Sequence, residues 1–266
     1  MVLRQALVLS ALLLTGCDES LTLSRVCTET PGFCTDLNKD SHCKEQRANV
    51  AIARYIEYKD PTDDNVYELL KLFETYNECV SLAAKIEHIK LKNKTTSRVE
   101  GHLTSLKEMN RIYQDTVNTT HPGLLYYQWS RNNNQTAMNK LLQMQDSPKV
   151  TSDPEIQLFL ASYYAKFDDE KTINLLYRVL ELNKEGHMPD LEVYTTLTSL
   201  FYKHKKYKHA YIFSKVARLS GFEDIDLFPV TQQLTSSGQS LGPLDDLASQ
   251  TFADIQAGSF VSPREF

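Results

Sequence analysis

Glycine and proline are scarce in this 266-residue chain, nine of each, which excludes a collagen-like repeat and a glycine-rich linker protein. Apolar stretches are few and short, and the mean hydropathy of −0.39 excludes a polytopic membrane protein. No GxxxxGKS/T, GxGxxG or GxSxG sequence occurs, so the common phosphate-cradling and nucleophile-elbow signatures are missing. CxxC pairs are absent, and the seven histidines form no HExxH pair, so neither a metal nor another cofactor is expected. Basic residues are outnumbered, 29 against 34 acidic, for a net charge of −5, which argues against unspecific nucleic-acid binding. The chain is therefore not expected to be an enzyme; an accessory role or a cryptic cell-wall enzyme is the alternative. What remains, 41% hydrophobic and 24% charged residues, is ordinary globular composition, enough for one large or two small cores.

The chain opens with a single early charge, Arg4, followed by an apolar run from Ala6 to Leu14 broken only by Ser10, and then Leu14-Thr15-Gly16-Cys17. This is the layout of a signal peptide over residues 1–16, and the run is too short to span a bilayer as a stable helix. The quartet resembles the bacterial lipobox, in which a small residue precedes the cysteine that is diacylated, exposed by cleavage and acylated again. That resemblance implies a lipidated Cys17, anchorage by several acyl chains rather than one marginal chain, and a mature chain facing the periplasm. Asp18 and Glu19 resemble the acidic pair that in enteric bacteria keeps lipoproteins in the inner membrane, so that membrane is favoured over the outer one.

Lipidation of Cys17 would leave Cys27, Cys34, Cys43 and Cys79, which allow three pairings in an oxidising compartment. Asp40 or Ser41 can cap a helix running to about Tyr58, and a second helix begins after Pro61-Thr62 with the acidic first turn Asp63-Asp64, the usual complement to the helix dipole. Cys43 lies 18 residues before Pro61 and Cys79 lies 18 after, so an antiparallel helix pair brings them level. Cys43–Cys79 and Cys27–Cys34 are the expected bridges.

Residues 17–40 show no periodicity and read as a lipidated tether that its cystine loop makes compact. An N-terminal helical region, 41–117, carries helically spaced apolar residues at Leu69, Leu70, Phe73, Tyr76, Val80 and Ala83, with Leu82, Ile86 and Ile89 continuing the stripe. Ser97 and Glu100 then form a capping box, with Val99, Leu103, Leu106, Met109 and Tyr113 marking the next helix. Across 118–222 the chain repeats: Leu125, Leu160 and Leu197 are followed by Tyr126, Ala161 and Thr198, and then by Trp129, Tyr164 and Phe201. This resembles the tetratricopeptide repeat, and Tyr194, Leu197, Phe201, Tyr207, Ala210 and Ala217 fit its signature best. The resemblance implies an all-α fold, a right-handed solenoid of helical hairpins in which stacked pairs share one core. Residues 223–266 read as a polar linker, a short amphipathic helix after Pro243 that caps the stack or binds a partner, and a mobile tail from Ser259.

Tyr127, Tyr163 and Tyr202 recur on successive first helices, off the core positions, and are the candidates to line a peptide-binding groove. Lys203-His204-Lys205-Lys206-Tyr207-Lys208-His209 is a basic cluster expected as a solvated hairpin, and Asp168-Asp169-Glu170 is expected to start a helix. The lipobox, the segment Pro31-Gly32-Phe33-Cys34-Thr35-Asp36-Leu37-Asn38, the segment Cys43-Lys44-Glu45-Gln46-Arg47 and the helical remainder together resemble an uncharacterised lipoprotein family of Gram-negative bacteria, a domain of unknown function. The function expected from all this is a lipid-anchored interaction scaffold in the periplasm, serving envelope assembly or maintenance through an unidentified protein or peptide partner.

Overall fold

A computed structural model of the chain describes residues 21–87 and 90–263. Among them are fourteen α-helices and no strand, and none of these helices is long and apolar enough to cross a membrane. The chain divides between Thr119 and Thr120 into two compact units.

The first unit comprises α1 (Leu23–Glu29), α2 (Gly32–Thr35), α3 (Lys44–Lys59), α4 (Asp63–Ala84) and α5 (Lys92–Asp115). Thr62 caps α4 through its hydroxyl, and Asp63 and Asp64 occupy the first turn, where negative charge suits the helix dipole. Cys43 and Cys79 are joined, as are Cys27 and Cys34, both as the sequence predicts. The cap of α3 differs from expectation: Cys43 itself is the N-cap, in the left-handed region with φ 53°. Asp40 does not cap α3 because its carboxylate takes hydrogen bonds from Arg98 and Asn38.

Residues 21–40 are not a tether. Val26 and Leu37 are fully buried, α1 and α2 pack on α3, and Arg54 clasps the Asp36 carboxylate with both guanidinium nitrogens at 2.7 and 3.0 Å. The disulfide between α1 and α2 closes a segment that is already part of the unit.

The larger departure is α5. It starts at Lys92, ahead of the expected capping box, and Ser97 sits inside it, its hydroxyl accepting from the Lys39 N–H at 2.8 Å. Of the apolar residues that mark it, Val99, Leu103 and Leu106 point outward, 40%, 58% and 44% exposed, while Met109 and Tyr113 are half-buried. The inner face is Ser97, Arg98, Gly101, Ser105 and Ile112. Leu82 and Ile86 are likewise exposed rather than extending the buried stripe of α4, and Ile89 lies outside the described residues. Polar interactions fix this orientation. Arg98 donates to the Ala83 carbonyl at 3.0 Å and to Asp40, Ser105 donates to Asn77, and Gly101 lies where any Cβ would collide with the Tyr76 hydroxyl.

The second unit contains α6 (Pro122–Asn132), α7 (Gln135–Gln143), α8 (Pro148–Thr151), α9 (Pro154–Tyr164), α10 (Asp169–Glu181), α11 (Leu191–Lys203), α12 (Tyr207–Leu219), α13 (Phe228–Ser236) and α14 (Gly242–Gln256). Helices pack pairwise, α6 on α7, α9 on α10 and α11 on α12, with α9 also meeting α6 and α11 meeting α10. Leu125, Leu160, Leu197, Ala161, Phe201, Ala210 and Ala217 are all buried. Small Ala210 and Ala217 leave room for close helix approach, and apolar burial of this kind contributes about 25 cal/mol per Å².

Two readings of the C-terminal region are corrected. The stretch read as a polar linker holds α13, whose Val230 and Leu234 are buried in the core with α12. The tail from Ser259 is pinned as far as it is described: Phe260 packs on the core, and Ser262 donates to Glu181 from its hydroxyl at 2.5 Å and its amide at 3.2 Å. The amphipathic helix α14 docks on α12, where Tyr211 donates to Asp245 at 2.8 Å and Lys215 pairs with the same carboxylate. Burial together with that hydrogen bond pushes the Tyr211 hydroxyl up to about 12.

Candidate functional site

The most distinctive exposed surface of the second unit forms around the turn between α9 and α10. Asp153 caps α9, with Pro154 at its first position, and Asp168 caps α10 by accepting from the Lys171 N–H at 2.9 Å. Between them the chain makes a tight turn in which the Phe167 and Asp168 amides both donate to the Tyr164 carbonyl. Phe167 therefore stands just before a helix cap. The residue it would staple in the first turns of α10 is Thr172, which is polar, so Phe167 is left 61% exposed.

Phe167 joins a ring cluster. Its ring centroid lies 5.1 Å from that of Tyr163 and 5.5 Å from that of Tyr164, and Tyr163 lies 5.4 Å from Trp129 on α6, all in edge-to-face geometry. Such pairs contribute about 0.5–1.5 kcal/mol each beyond the area they bury. Two cations sit over ring faces, Lys166 at 4.8 Å from Trp129 and Lys171 at 4.1 Å from Tyr164. Lys171 also donates to the Tyr164 hydroxyl and to Gln145. The result is a half-exposed aromatic surface edged with positive charge, chemistry suited to an extended segment that carries apolar and acidic side chains.

Further along, Asp169 at the start of α10 accepts from Lys203 at 2.5 Å and His204 at 2.7 Å. The hydrogen bond from the Lys203 ammonium is the main reason the Asp169 carboxyl is held below the usual carboxylate range; burial opposes it, and His204 adds to the lowering. Beside this pair lies a cavity of about 300 Å³ lined by Glu170, Ile173, Phe201, His204 and Lys206. The basic cluster is thus partly engaged by its own chain: Lys203 and His204 hold Asp169, and His209 lies against Phe201, its pKa lowered mainly by burial.

Of the three groove candidates, Tyr163 is in the ring cluster, Tyr127 is half-buried on α6, and Tyr202 lies at the end of α11 with its ring 5.3 Å from Tyr207. Tyr163 and Tyr202 belong to different ring clusters. The residues that sequence reasoning passed over are Phe167, Lys166 and Lys171, whose signal was an aromatic placed before a capping aspartate with no staple partner. Cys17 lies outside the described residues. Among the described residues no three His, Cys, Asp or Glu side chains gather as a metal ion would need.

No curated protein and no solved structure matches the chain. A family model does match, over residues 14–215. That span takes in both disulfides, the Asp36 carboxylate clasped by Arg54, and the whole ring cluster, and by it the chain belongs to the family DUF2989, described as a protein of unknown function.

Proposed function

We propose that this chain is a lipid-anchored periplasmic scaffold, without catalytic activity of its own, that holds a protein or peptide partner on a tetratricopeptide-like stack of helix pairs in cell-envelope assembly or maintenance. The observation that carries the reading is the ring cluster of Trp129, Tyr163, Tyr164 and Phe167 with its two ring-bound lysines. An aromatic group left 61% exposed at Phe167, beside tyrosines that are only half-buried, is the composition of a binding hot spot rather than of a core. The three consecutive helix pairs support a right-handed solenoid with degenerate repeats. The turn of α8 lengthens one repeat, and the loop before α11, tied to α14 by Asn183 and Gly186, lengthens the next. Two disulfides support an oxidising compartment, and Leu14-Thr15-Gly16-Cys17 supports anchorage at Cys17, with the inner membrane favoured by Asp18 and Glu19.

Affinity capture from crosslinked membranes tests the scaffold. The native chain should recover a reproducible protein, and Phe167→Ala combined with Tyr163→Ala should reduce its recovery by about tenfold or more, the loss expected from two hot-spot side chains. Equal recovery with both forms, or no reproducible protein, counts against the reading. The anchor is tested separately: Cys17→Ala should abolish incorporation of radioactive palmitate and move the protein from the membrane to the soluble fraction. Palmitate retained by that variant would refute the lipidation site.

A further inference from the structure

We infer that the outward face of α5 is a homodimer interface on which α5 of a second copy packs antiparallel. The helix shows its apolar side to solvent: Val99, Leu103 and Leu106 are 40%, 58% and 44% exposed. Its inner side is locked by Arg98 to Asp40 and the Ala83 carbonyl, by Ser105 to Asn77, and by the close fit of Gly101 under Tyr76. Turning α5 to bury its leucines would break all of these contacts, so the exposure is built into the unit.

The spacing of the outward residues says what covers them. Val99, Leu103, Leu106 and Asn110, all exposed, recur at intervals of four, three and four, the spacing of a coiled-coil seam. Such a seam is filled by another helix bearing the same repeat, and the only such face among the described residues of the first unit is α5 itself, which points to a second copy and a two-fold axis.

Charge selects the direction. Glu100 and Lys107 are both exposed and both flank the seam on the same side. In an antiparallel pair with its axis near the middle of the Leu103–Leu106 turn, each Leu103 meets Leu106 of the second copy. Each Glu100 then faces Lys107 of the second copy, twice over by symmetry. In a parallel pair Glu100 would face Thr95 and Lys107 would face His102, with no charge matched. The antiparallel register leaves Asn110 at the outer end of the seam opposite Val99, where water still reaches its amide and the cost of covering it is small.

Sedimentation equilibrium of the protein as isolated from expressing cells tests this. A concentration-dependent dimer is expected, and Leu103→Asp with Leu106→Asp should give a monomer of unchanged helical circular dichroism. Lys107→Glu should weaken the dimer about tenfold by setting like charges face to face, and the swap Glu100→Lys with Lys107→Glu should restore it to within about twofold. A photo-crosslinking residue placed at position 103 in otherwise native protein gives a readout independent of the aspartate variant's folding; its adduct should have twice the mass and contain this chain alone. A monomer at every concentration, a dimer indifferent to the aspartates, or a charge swap without rescue would overturn the proposal. So would a monomer that uses Leu103 and Leu106 to bind vesicles of phosphatidylcholine with phosphatidylglycerol, which would assign the face to lipid.

Discussion

Arg98→Ala should destabilise the first unit by about 3–5 kcal/mol, the range for removing one partner of a buried ion pair. Arg98 is 1% exposed, and its guanidinium lies 2.6 Å from the Asp40 carboxylate, which is itself 8% exposed. The same head group donates to the Ala83 carbonyl at 3.0 Å and contacts the His42 ring at 3.0 Å. Alanine would leave a buried carboxylate without its cation and the carbonyl without its donor. The segment Asp36–His42 should then loosen from α4 and α5, because Asn38, Asp40 and His42 are held through one another. Urea unfolding followed by far-ultraviolet circular dichroism measures the loss, and a midpoint within error of the native protein would contradict it. The pH dependence follows. Burial opposes ionisation of Asp40, but hydrogen bonds from Asn38 and Arg98 outweigh it and hold the carboxyl below the usual carboxylate range. A depressed carboxyl contributes stability that is present above its unfolded pKa and lost as pH falls through its folded value. Native protein should therefore weaken on acidification below the ordinary aspartate range, and Arg98→Ala should flatten that part of the profile.

Cys43→Ser together with Cys79→Ser should cost about 4 kcal/mol, against about 2.5 for removing Cys27 and Cys34, if loop closure in the unfolded chain governs both. The bridges span 36 and 7 residues respectively, so the difference is set by loop length. Thermal unfolding of the two double variants should therefore rank them in that order. The reverse ranking would show that native-state strain, and not loop entropy, decides.

What could be read from the chain alone follows a physical division. The α3–α4 hairpin was legible because Pro61, Thr62 and the Asp63-Asp64 turn are strong local punctuation, and symmetry about Pro61 brought Cys43 and Cys79 level. Burial at Leu125, Leu160 and Leu197 was legible from a repeated apolar pattern. The orientation of α5 was not, because apolar spacing reports an amphipathic helix without saying which side meets protein. There the deciding groups are polar and distant in sequence, Arg98 with Asp40 and Ser97 with Lys39. The same holds for residues 21–40, whose aperiodic sequence hides Val26 and Leu37 as single plugs rather than as a stripe. At the candidate site, Tyr163 was legible as a first-helix aromatic beside the core positions, whereas Phe167 needed knowledge of where α9 stops and how Asp168 caps α10.

The folding of residues 21–40 into the first unit also limits reach. On the proposed anchoring, the lipid is attached at Cys17 and the first helix begins at Leu23, so even a fully stretched leash extends about 20 Å. The first unit then skims the bilayer and searches in two dimensions, meeting partners that arrive at or diffuse within the same leaflet.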